Sequence, residues 1–525
     1  MISVASCSIA LLLTSVAFAA PAPSSAASSV VVSATSSSTV PSVPVSGSSL
    51  SPTTSIAAAT PSSIAVASSS TATVPFIDLN PNGPLWDPSV SGVPQPERGS
   101  LGATIIGPTD VDTTKANPDL LAPPTTDHGS VDNAKWAFSL SHNRLQTGGW
   151  AREQNIGVMP IATEMASVNM RLEPGAVREL HWHKTAEASY FGPLLFFPLT
   201  LKRDVVGICS QGKLPSPKNP SLQVLTAGIQ GHTQVTAVDQ NGRNFIGTVG
   251  PGDLWYFPAG IPHSLQATGD DPEGSEFILV FDSGAFSEDS TFLLTDWMSH
   301  VPVEVLAKNF QTDISAFARI PAEELYIFLA GRSSIDIATR QPVILRTKAV
   351  PPDNQQDPIS PEGTVPNPFT FALSKVPPMQ LSGGTAKIVD STTFTVSKAI
   401  AAAEVTIEPG AIRELHWHPT QDEWSFFIEG RARMTIFASQ SNARTFDYQA
   451  GDIGYVPGTM GHYVENIGNT TVRYLEIFHT AVFEDISLSN WLALTPPELV
   501  KAHLGFDDAT MAHLAKVKPI VVGPA

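Results

Sequence analysis

The sequence predicts a mainly β protein with two tandem antiparallel β-barrels and short flanking helices. Two segments of similar sequence, many short runs of alternating apolar and polar residues, and a high content of turn-forming residues predict this fold class. The 525 residues include 45 prolines and 37 glycines, which favour β structure with many turns. The length suffices for two or three domains, because a domain typically spans about 100–200 residues.

The repeat is clearest in a motif that occurs twice. The first copy reads EPGAVRELHWH from Glu173, and the second reads EPGAIRELHWH from Glu408. In both copies a Gly-Asp pair, an apolar run and a proline precede a later histidine at the same spacing. Similarity of this extent indicates a duplicated domain.

Repeats and composition together predict the domain organisation. The segments 302–317 and 497–514 have the pattern of short amphipathic helices outside the barrels. The predicted segments are a signal peptide at 1–20, a Ser/Ala/Thr/Pro-rich disordered segment at 21–74, an N-terminal extension at 75–134, a first barrel domain at 135–320, a linker at 321–365, a second barrel domain at 366–515 and a tail at 516–525.

Charge and targeting signals restrict the partners. The net charge of −18 and the lack of a clustered basic surface argue against a nucleic-acid partner. The apolar run at 9–18 is too short to span a bilayer and is typical of a signal peptide. We therefore expect a secreted or cell-wall-associated protein without a membrane partner. Asn469 begins an Asn-Thr-Thr acceptor for N-glycosylation.

An insert at 192–228 interrupts the first repeat. The second repeat has a continuous strand pattern from Glu423, whereas the same pattern starts at Glu187, breaks off, and resumes only at Ile229. Insertions are poorly tolerated within strands, so we interpret the insert as a retained intron, with a genuine surface excursion as the alternative. A genuine insert would disturb the strand of Glu187, and Ala188 already replaces the tryptophan that the second copy keeps as Trp424.

Each repeat contains three histidines and a glutamate that could bind a metal ion. Three imidazoles and one carboxylate leave two positions open on a six-coordinate ion, and the lack of thiolates argues against structural zinc. These ligand types alone leave manganese, iron, nickel and copper open. Buried structural histidines are the alternative, but the recurrence of the whole set favours a metal. The two sets are His181, His183, Glu187 and His263, and His416, His418, Glu423 and His462.

An arginine stands three residues before the first histidine of each pair. On a regular strand, Arg178 and Arg413 would lie on the opposite face from the histidines. An exposed strand arginine is one interpretation. The other is an anion clamp, because a planar guanidinium matches a carboxylate.

The motifs HWHKTAE with PGDLWYFPAGIPHS, and HWHPTQDEW with PGTMGH, resemble the paired motifs of bicupin oxalate decarboxylases. The resemblance covers roughly residues 135–514. It implies two cupin domains, each with one Mn²⁺ ion, that split oxalate into formate and carbon dioxide. It also implies a homo-oligomer, and dioxygen as a catalytic participant that is not consumed overall.

The segment Ser-Glu-Asp-Ser-Thr at 287–291 would by itself be an ordinary polar loop. It resembles the flexible lid of this family, which reads Ser-Glu-Asn-Ser-Thr, with Asp289 in place of the asparagine usual in bacterial members. The resemblance implies that Glu288 is the general acid/base and that Arg178 orients oxalate on the metal. For the second barrel it implies a supporting or structural role, with Arg413 and Glu476 as candidate residues near the second metal.

Three other functions remain open from the sequence. An oxalate oxidase would use the same metal set but release peroxide and carbon dioxide. A storage-type bicupin would keep the fold without metal, and another bicupin dioxygenase would act on a larger organic substrate. The duplicated domain, the lid and the complete ligand sets favour the decarboxylase.

The intron hypothesis predicts that the secreted protein lacks the insert. Mass spectrometry of tryptic and chymotryptic digests should then detect no peptides from residues 201–223. Peptides from this segment in the mature protein would contradict the hypothesis and establish the insert as genuine.

Overall fold

A computed structural model of the protein describes residues 92–98, 101–190, 231–268, 271–329, 332–335, 342–344 and 360–524. The predicted signal peptide, the segment 21–74 and the insert 192–228 lie outside these residues. In the described part of the chain, no helix is long and apolar enough to cross a membrane.

Strands dominate the described chain, as the alternating sequence pattern predicts. The strands up to the end of the first repeat are β1 (Glu97–Arg98), β2 (Leu101–Gly102), β3 (Lys135–Ala137), β4 (Arg144–Gln146), β5 (Gly149–Gln154), β6 (Ala166–Leu172), β7 (Ala176–Trp182), β8 (Glu187–Tyr190), β9 (Thr233–Val238), β10 (Asn244–Val249), β11 (Leu254–Phe257), β12 (His263–Ala267), β13 (Ser275–Phe281), β14 (Phe292–Leu293) and β15 (Ile327–Leu329). A separate pair follows, β16 (Arg332–Ile335) and β17 (Pro342–Ile344).

The second repeat has an equivalent series. Its strands are β18 (Thr370–Phe371), β19 (Met379–Leu381), β20 (Gly384–Val389), β21 (Ala401–Ile407), β22 (Ile412–Trp417), β23 (Glu423–Glu429), β24 (Arg431–Phe437), β25 (Ala443–Gln449), β26 (Asp452–Val456), β27 (His462–Asn466), β28 (Val472–Phe478), β29 (Ile486–Ser487) and β30 (Val521–Val522). The helices are α1 (Val111–Ala116), α2 (Pro118–Leu121), α3 (Leu294–Ser299), α4 (Val303–Phe310), α5 (Leu488–Leu494), α6 (Pro497–Leu504) and α7 (Asp508–Ala512).

Both repeats form two antiparallel sheets with the same strand order. In the first barrel the orders are β18-β11-β8-β13-β6-β5-β4 and β10-β9-β12-β7-β14, with β15 also paired to β7. In the second barrel they are β3-β26-β23-β28-β21-β20-β19 and β25-β24-β27-β22-β29, with β30 also paired to β22. The predicted mainly β fold with two tandem barrels is confirmed.

The two barrels exchange one strand each. Strand β3, which precedes the first barrel, pairs with β26 of the second barrel, and β18 from the second repeat pairs with β11 of the first. A strand at a sheet edge has unpaired backbone N–H and C=O groups, and the exchanged strand satisfies those of β11 and β26. Each barrel is therefore completed by a segment of the other repeat.

Apolar residues of both barrels meet in one buried cluster. Tyr190 and Ile278 of the first barrel belong to the same cluster as Trp424 and Phe426 of the second. The indole N–H of the fully buried Trp424 donates to Gln154 of the first barrel at 3.0 Å. Burial of large aromatic side chains against a neighbouring domain makes the two barrels a single structural unit.

Strand pairing differs from the predicted domain boundaries at four places. β3 was assigned to the first barrel domain but pairs with the second, and β18 was assigned to the second but pairs with the first. β15 lies in the predicted linker, and β30 lies in the predicted tail. These short strands have partners far away in the sequence, which no local pattern indicates. Helices α4 and α6 lie in the two segments predicted to be helical.

Candidate metal centres

Strand pairing brings the first set of predicted ligands together inside the first barrel. His181 on β7 pairs in register with His263, the first residue of β12, and His183 directly follows β7. Glu187 begins β8 in the opposite sheet. The chain crosses between the two sheets after His183, so Glu187 and the histidines of β7 lie on opposite sheets.

The second set has the same arrangement in the second barrel. His416 on β22 pairs with His462 at the start of β27, His418 follows β22, and Glu423 begins β23 in the other sheet. In each set the four donor atoms lie within 4.8 Å of one another, and all four residues are buried. The structure thus brings together all eight residues predicted as metal ligands.

Main-chain carbonyl groups orient all six imidazole rings. Because a carbonyl oxygen can only accept, Nδ1 of each ring carries the proton, and Nε2 presents a lone pair. The Nδ1 to carbonyl oxygen distances are 2.5 Å for His181 to Glu179, 3.1 Å for His183 to Thr185, 2.7 Å for His263 to Ile261, 2.7 Å for His416 to Glu414, 2.8 Å for His418 to Glu484 and 3.0 Å for His462 to Met460.

The Nε2 atoms converge on the carboxylates. Nε2 of His183 lies 3.0 Å from Oε2 of Glu187, and Nε2 of His418 lies 3.0 Å from Oε2 of Glu423. Nε2 of His263 and Nε2 of His416 are buried without a hydrogen-bond partner among the described residues. A buried acceptor without a donor is costly, and a cation between these atoms would satisfy it. Both sets therefore fit a bound metal ion.

Protonation states also suit metal binding. Burial lowers the pKa of His181, His263 and His416, so that these imidazoles are neutral. Burial alone would raise the pKa of Glu187 and Glu423, but the neighbouring histidines outweigh it and lower the pKa of both carboxyls. Neutral imidazoles and an ionised carboxylate are the forms that bind a divalent cation.

The second oxygen of each carboxylate has a different partner in the two barrels. Oε1 of Glu187 accepts a hydrogen bond from the indole of Trp255 at 2.8 Å, whereas Oε1 of Glu423 accepts from the hydroxyl of Ser425 at 2.5 Å. Both contacts turn Oε2 towards the histidines. Neither donor is predicted from the sequence, because a tryptophan and a serine within strands indicate no such role.

A β-bulge changes the predicted position of the arginines. His263 pairs with His181, and Leu265 pairs with Arg178. Between these two pairings β7 therefore has one more residue than β12. One extra residue reverses the alternation of a strand, so Arg178 and His181 are both buried inside the barrel. The register of β22 shifts in the same way between Arg413 and His416. The expectation of opposite faces is therefore wrong for both arginines.

Arg178 is buried, and no carboxylate of the described chain forms an ion pair with it. Its guanidinium donates to the main-chain oxygen of Tyr326 at 3.2 Å and lies 3.9 Å from the centre of the Tyr326 ring. Burial lowers the pKa of Arg178 to about 10, which leaves the group charged at neutral pH. A buried cation without a counter-ion is suited to bind an anion. Tyr326 precedes β15 in the predicted linker, so the sequence did not indicate it.

Arg413 already has two carboxylate partners. Its Nη2 lies 2.7 Å from Asp485, and its Nε lies 3.5 Å from Glu476. Although burial opposes it, the charges of Glu476 and Asp485 raise the pKa of Arg413. Aligning the repeats at Trp297 and Trp491 would have placed Asp485 opposite Thr291 of the lid. The second guanidinium is therefore neutralised by the protein itself.

Glu288 lies in a short 3₁₀ turn of the lid, Glu288–Ser290, and lines the same cavity as Arg178, His181 and Glu187. Its Oε2 is buried without a hydrogen-bond partner among the described residues. Burial raises the pKa of Glu288 to about 7. At the corresponding position, nine residues before the repeat's tryptophan, the second copy has Val482.

Several known proteins are similar to this chain. The family model described as Cupin matches residues 216–316 and 372–512. Oxalate decarboxylase OxdC of Bacillus subtilis is 47% identical over 433 residues, which cover 82% of this chain and 97% of the relative. A probable oxalate decarboxylase of Arthroderma benhamiae is 35% identical over 444 residues, with 84% and 95% covered. A solved structure from work on the Mn(II) centres of the Bacillus subtilis oxalate decarboxylase has a TM-score of 0.69 and 46% identity, and covers 82% of this chain and 100% of that chain.

Removal of one histidine should empty one centre. We expect His263→Ala to reduce bound divalent metal from two ions to one per chain, because it removes one of the three imidazole donors of the first set. Elemental analysis of the purified protein measures this. His503→Ala, at an exposed histidine, should retain both ions. Unchanged metal content in His263→Ala would contradict the assignment.

Proposed function

The chain belongs to the bicupin oxalate decarboxylase family, and we propose that it splits oxalate into formate and carbon dioxide in the first barrel, with a manganese ion in each barrel. The observation that carries this proposal is the unpaired guanidinium of Arg178 in the same cavity as four metal-binding residues and the carboxyl of Glu288. A cation for an anionic substrate, a metal centre and a proton donor are thus present together.

The reaction converts one oxalate dianion and one proton into one formate and one carbon dioxide. When the carbon–carbon bond breaks, the electron pair remains on the carbon that becomes formate, and the proton takes up this pair. The reaction therefore requires positive charge near the carboxylate oxygens and a proton source near the carbon.

His181, His183, Glu187 and His263 would hold the first ion, and the equivalent residues of the second barrel would hold the other. Nitrogen and oxygen donors without thiolate suit Mn²⁺, and the Mn(II) centres of the Bacillus subtilis relative favour this ion. When bound, the ion supplies Lewis-acid stabilisation of negative charge on oxygen.

Arg178 binds and orients the substrate. A guanidinium can donate two parallel hydrogen bonds to one carboxylate, which fixes the direction of the carbon–carbon bond. Because no carboxylate of the described chain forms an ion pair with this group, oxalate displaces no internal carboxylate when it binds. The Tyr326 ring beneath the guanidinium limits its movement.

Glu288 holds the proton. Its raised pKa keeps the carboxyl neutral under mildly acidic conditions, and the free Oε2 faces no competing partner in the described chain. The closed lid also excludes bulk water, which favours proton transfer to carbon over loss of the intermediate. Without this proton, oxalate, dioxygen and two protons can instead yield two carbon dioxide molecules and hydrogen peroxide.

The second barrel has a supporting or structural role. The charge of Arg413 is already balanced by Asp485 and Glu476, and Val482 replaces the acid of the lid. Glu476 also accepts a hydrogen bond from the hydroxyl of Tyr474 at 2.6 Å, which further fixes it in place. Arg413 and Glu476 therefore stabilise the barrel around the second ion.

The proposal also covers localisation, glycosylation and assembly. The apolar run at 9–18 favours secretion to the medium or the cell wall, and Asn469 is exposed in the turn before β28, where a glycan would find space. The exposed side chains of Trp297 and Trp491 favour burial in a homo-oligomer. Participation of dioxygen without net consumption is inferred from the family resemblance.

Glu288→Ala should abolish formate production while both ions remain bound. Loss of a general acid typically costs about 10²–10⁴-fold in rate, so we expect at least a 100-fold decrease in kcat for formate. Enzymatic formate and peroxide assays with metal analysis check this. Glu498→Ala, at an exposed glutamate outside the barrels, is the matched control. Unchanged formate output would remove Glu288 from the mechanism.

The rate of formate production should fall as pH rises through about 7. Burial raises the pKa of Glu288 from its ordinary 4.5 to about 7, so the carboxyl is protonated below that pH and loses its proton above it. The reaction consumes a proton, and the neutral form is therefore the active one. A pH profile of kcat at saturating oxalate measures this. A kcat that increases through pH 7 would contradict the assigned protonation state.

A further inference from the structure

The lid rests on a two-stranded hairpin formed by β4 and β5. The main-chain N–H of Glu288 donates to Oε2 of Glu153, at the end of β5, at 2.9 Å. The side-chain amide of Asn155 donates both to Oε1 of Glu153 at 2.9 Å and to the main-chain oxygen of Phe286 at 3.1 Å. Glu153 and Asn155 therefore hold the main chain on both sides of Ser287.

A second contact holds the outer side of the lid. Arg144 on β4 forms an ion pair with Asp289 at 3.2 Å, and it also pairs with Glu324. Its guanidinium lies 3.7 Å from the centre of the Tyr326 ring, while that of Arg178 lies 3.9 Å from the same centre. Because one ring face cannot accommodate two guanidinium groups at this distance, the ring lies between them. Arg144 thus connects the lid with Tyr326, whose ring also contacts Arg178.

The second repeat lacks both contacts. The pairing of β4 with β5 matches that of β19 with β20 residue by residue, which places Met379 at the position of Arg144 and Ile388 at the position of Glu153. An apolar residue at either position cannot bind a lid by charge or hydrogen bond. The two polar residues therefore occur in the repeat that carries Glu288, and the other repeat has apolar residues in their place.

We propose that Glu153 and Arg144 are positioning residues that hold the lid, residues 287–291, closed over the first metal centre with the carboxyl of Glu288 inside the cavity. This inference rests on the proposed function. Glu288 also lines a groove of about 520 Å³ on the outer side of the lid, together with Arg144 and Glu153. Loss of either contact would let the lid open towards this groove and move the acid away from the substrate.

The two contacts differ in expected strength. The hydrogen bond of the Glu288 amide has a charged acceptor and is partly buried, so its loss should increase lid opening by about tenfold or more. The Arg144–Asp289 pair is largely exposed on the Asp289 side, and such a pair shifts an equilibrium by roughly 1.5- to 5-fold. Glu153 therefore makes the larger contribution.

Hydrogen exchange of the amides at 286–291 in the manganese-loaded, full-length enzyme tests the positioning role directly, because exchange reports the opening of the lid. We expect exchange about tenfold faster in Glu153→Ala, 1.5- to 5-fold faster in Asp289→Asn, and an intermediate value in Glu153→Gln, which keeps one acceptor oxygen. Asp508→Asn removes another exposed ion pair, with Lys501, and serves as the matched control with unchanged exchange.

Kinetics on the same variants add a second measurement. In Glu153→Ala the kcat for formate should fall about tenfold, the KM should change less than kcat, and the peroxide formed per oxalate consumed should rise. The proposal would be overturned if hydrogen exchange of the lid amides in Glu153→Ala equalled that of the wild type. It would also be overturned if kcat fell while both lid exchange and the ratio of peroxide to consumed oxalate stayed unchanged. If Glu153→Ala loses its metal through misfolding, Asp289→Asn and Glu153→Gln decide by the same criteria. Wild-type protein that forms no formate would reject the proposed function, while the exchange data would still decide the positioning role.

Discussion

The structure depends on the burial of charge inside two apolar barrels. In each barrel an ionised carboxylate lies among three imidazoles whose Nδ1 atoms are already engaged by main-chain carbonyls. Nothing in this donor set supplies positive charge, and desolvation makes an uncompensated carboxylate expensive. A bound divalent cation balances the negative charge of the carboxylate, so the geometry of the ligands and the presence of the metal depend on each other. The strands place the ligands around this cation, and the hydrogen bonds orient their side chains towards it.

Duplication produced two similar centres that differ in the charge around them. The same β-bulge turns Arg178 and Arg413 inward, but Asp485 and Glu476 neutralise only the second guanidinium. In the first barrel Thr291 stands at the position corresponding to Asp485, and the guanidinium keeps its charge for a substrate. The two carboxylates of Asp485 and Glu476 thus distinguish a centre whose arginine is already paired from one whose arginine remains available to bind an anion.

The exchanged strands explain why neither repeat forms a separate domain in the described structure. Each seven-stranded sheet ends in a strand from the other repeat, and an aromatic cluster with Trp424 and Tyr190 fills the space between the barrels. The strand of Glu187 lies between β11 and β13, next to this interface. The second barrel therefore packs next to the strand that carries Glu187, a ligand of the first metal centre. This contact is consistent with a structural contribution of the second barrel.

The sequence by itself determined the two-barrel fold and the eight metal-binding residues, because the repeated motifs place these residues at matching, local spacings, whereas Glu288 was indicated by the resemblance of its segment to the lid of a known family. It could not determine which face the arginines occupy, since a bulge depends on the register with a partner strand. The roles of Asp485 and Tyr326 and the strand exchange also required the tertiary structure. Asp485 lies 72 residues from Arg413, and Tyr326 lies 148 residues from Arg178. Contacts over such separations arise from strand pairing across the whole barrel, and short-range patterns carry no information about them.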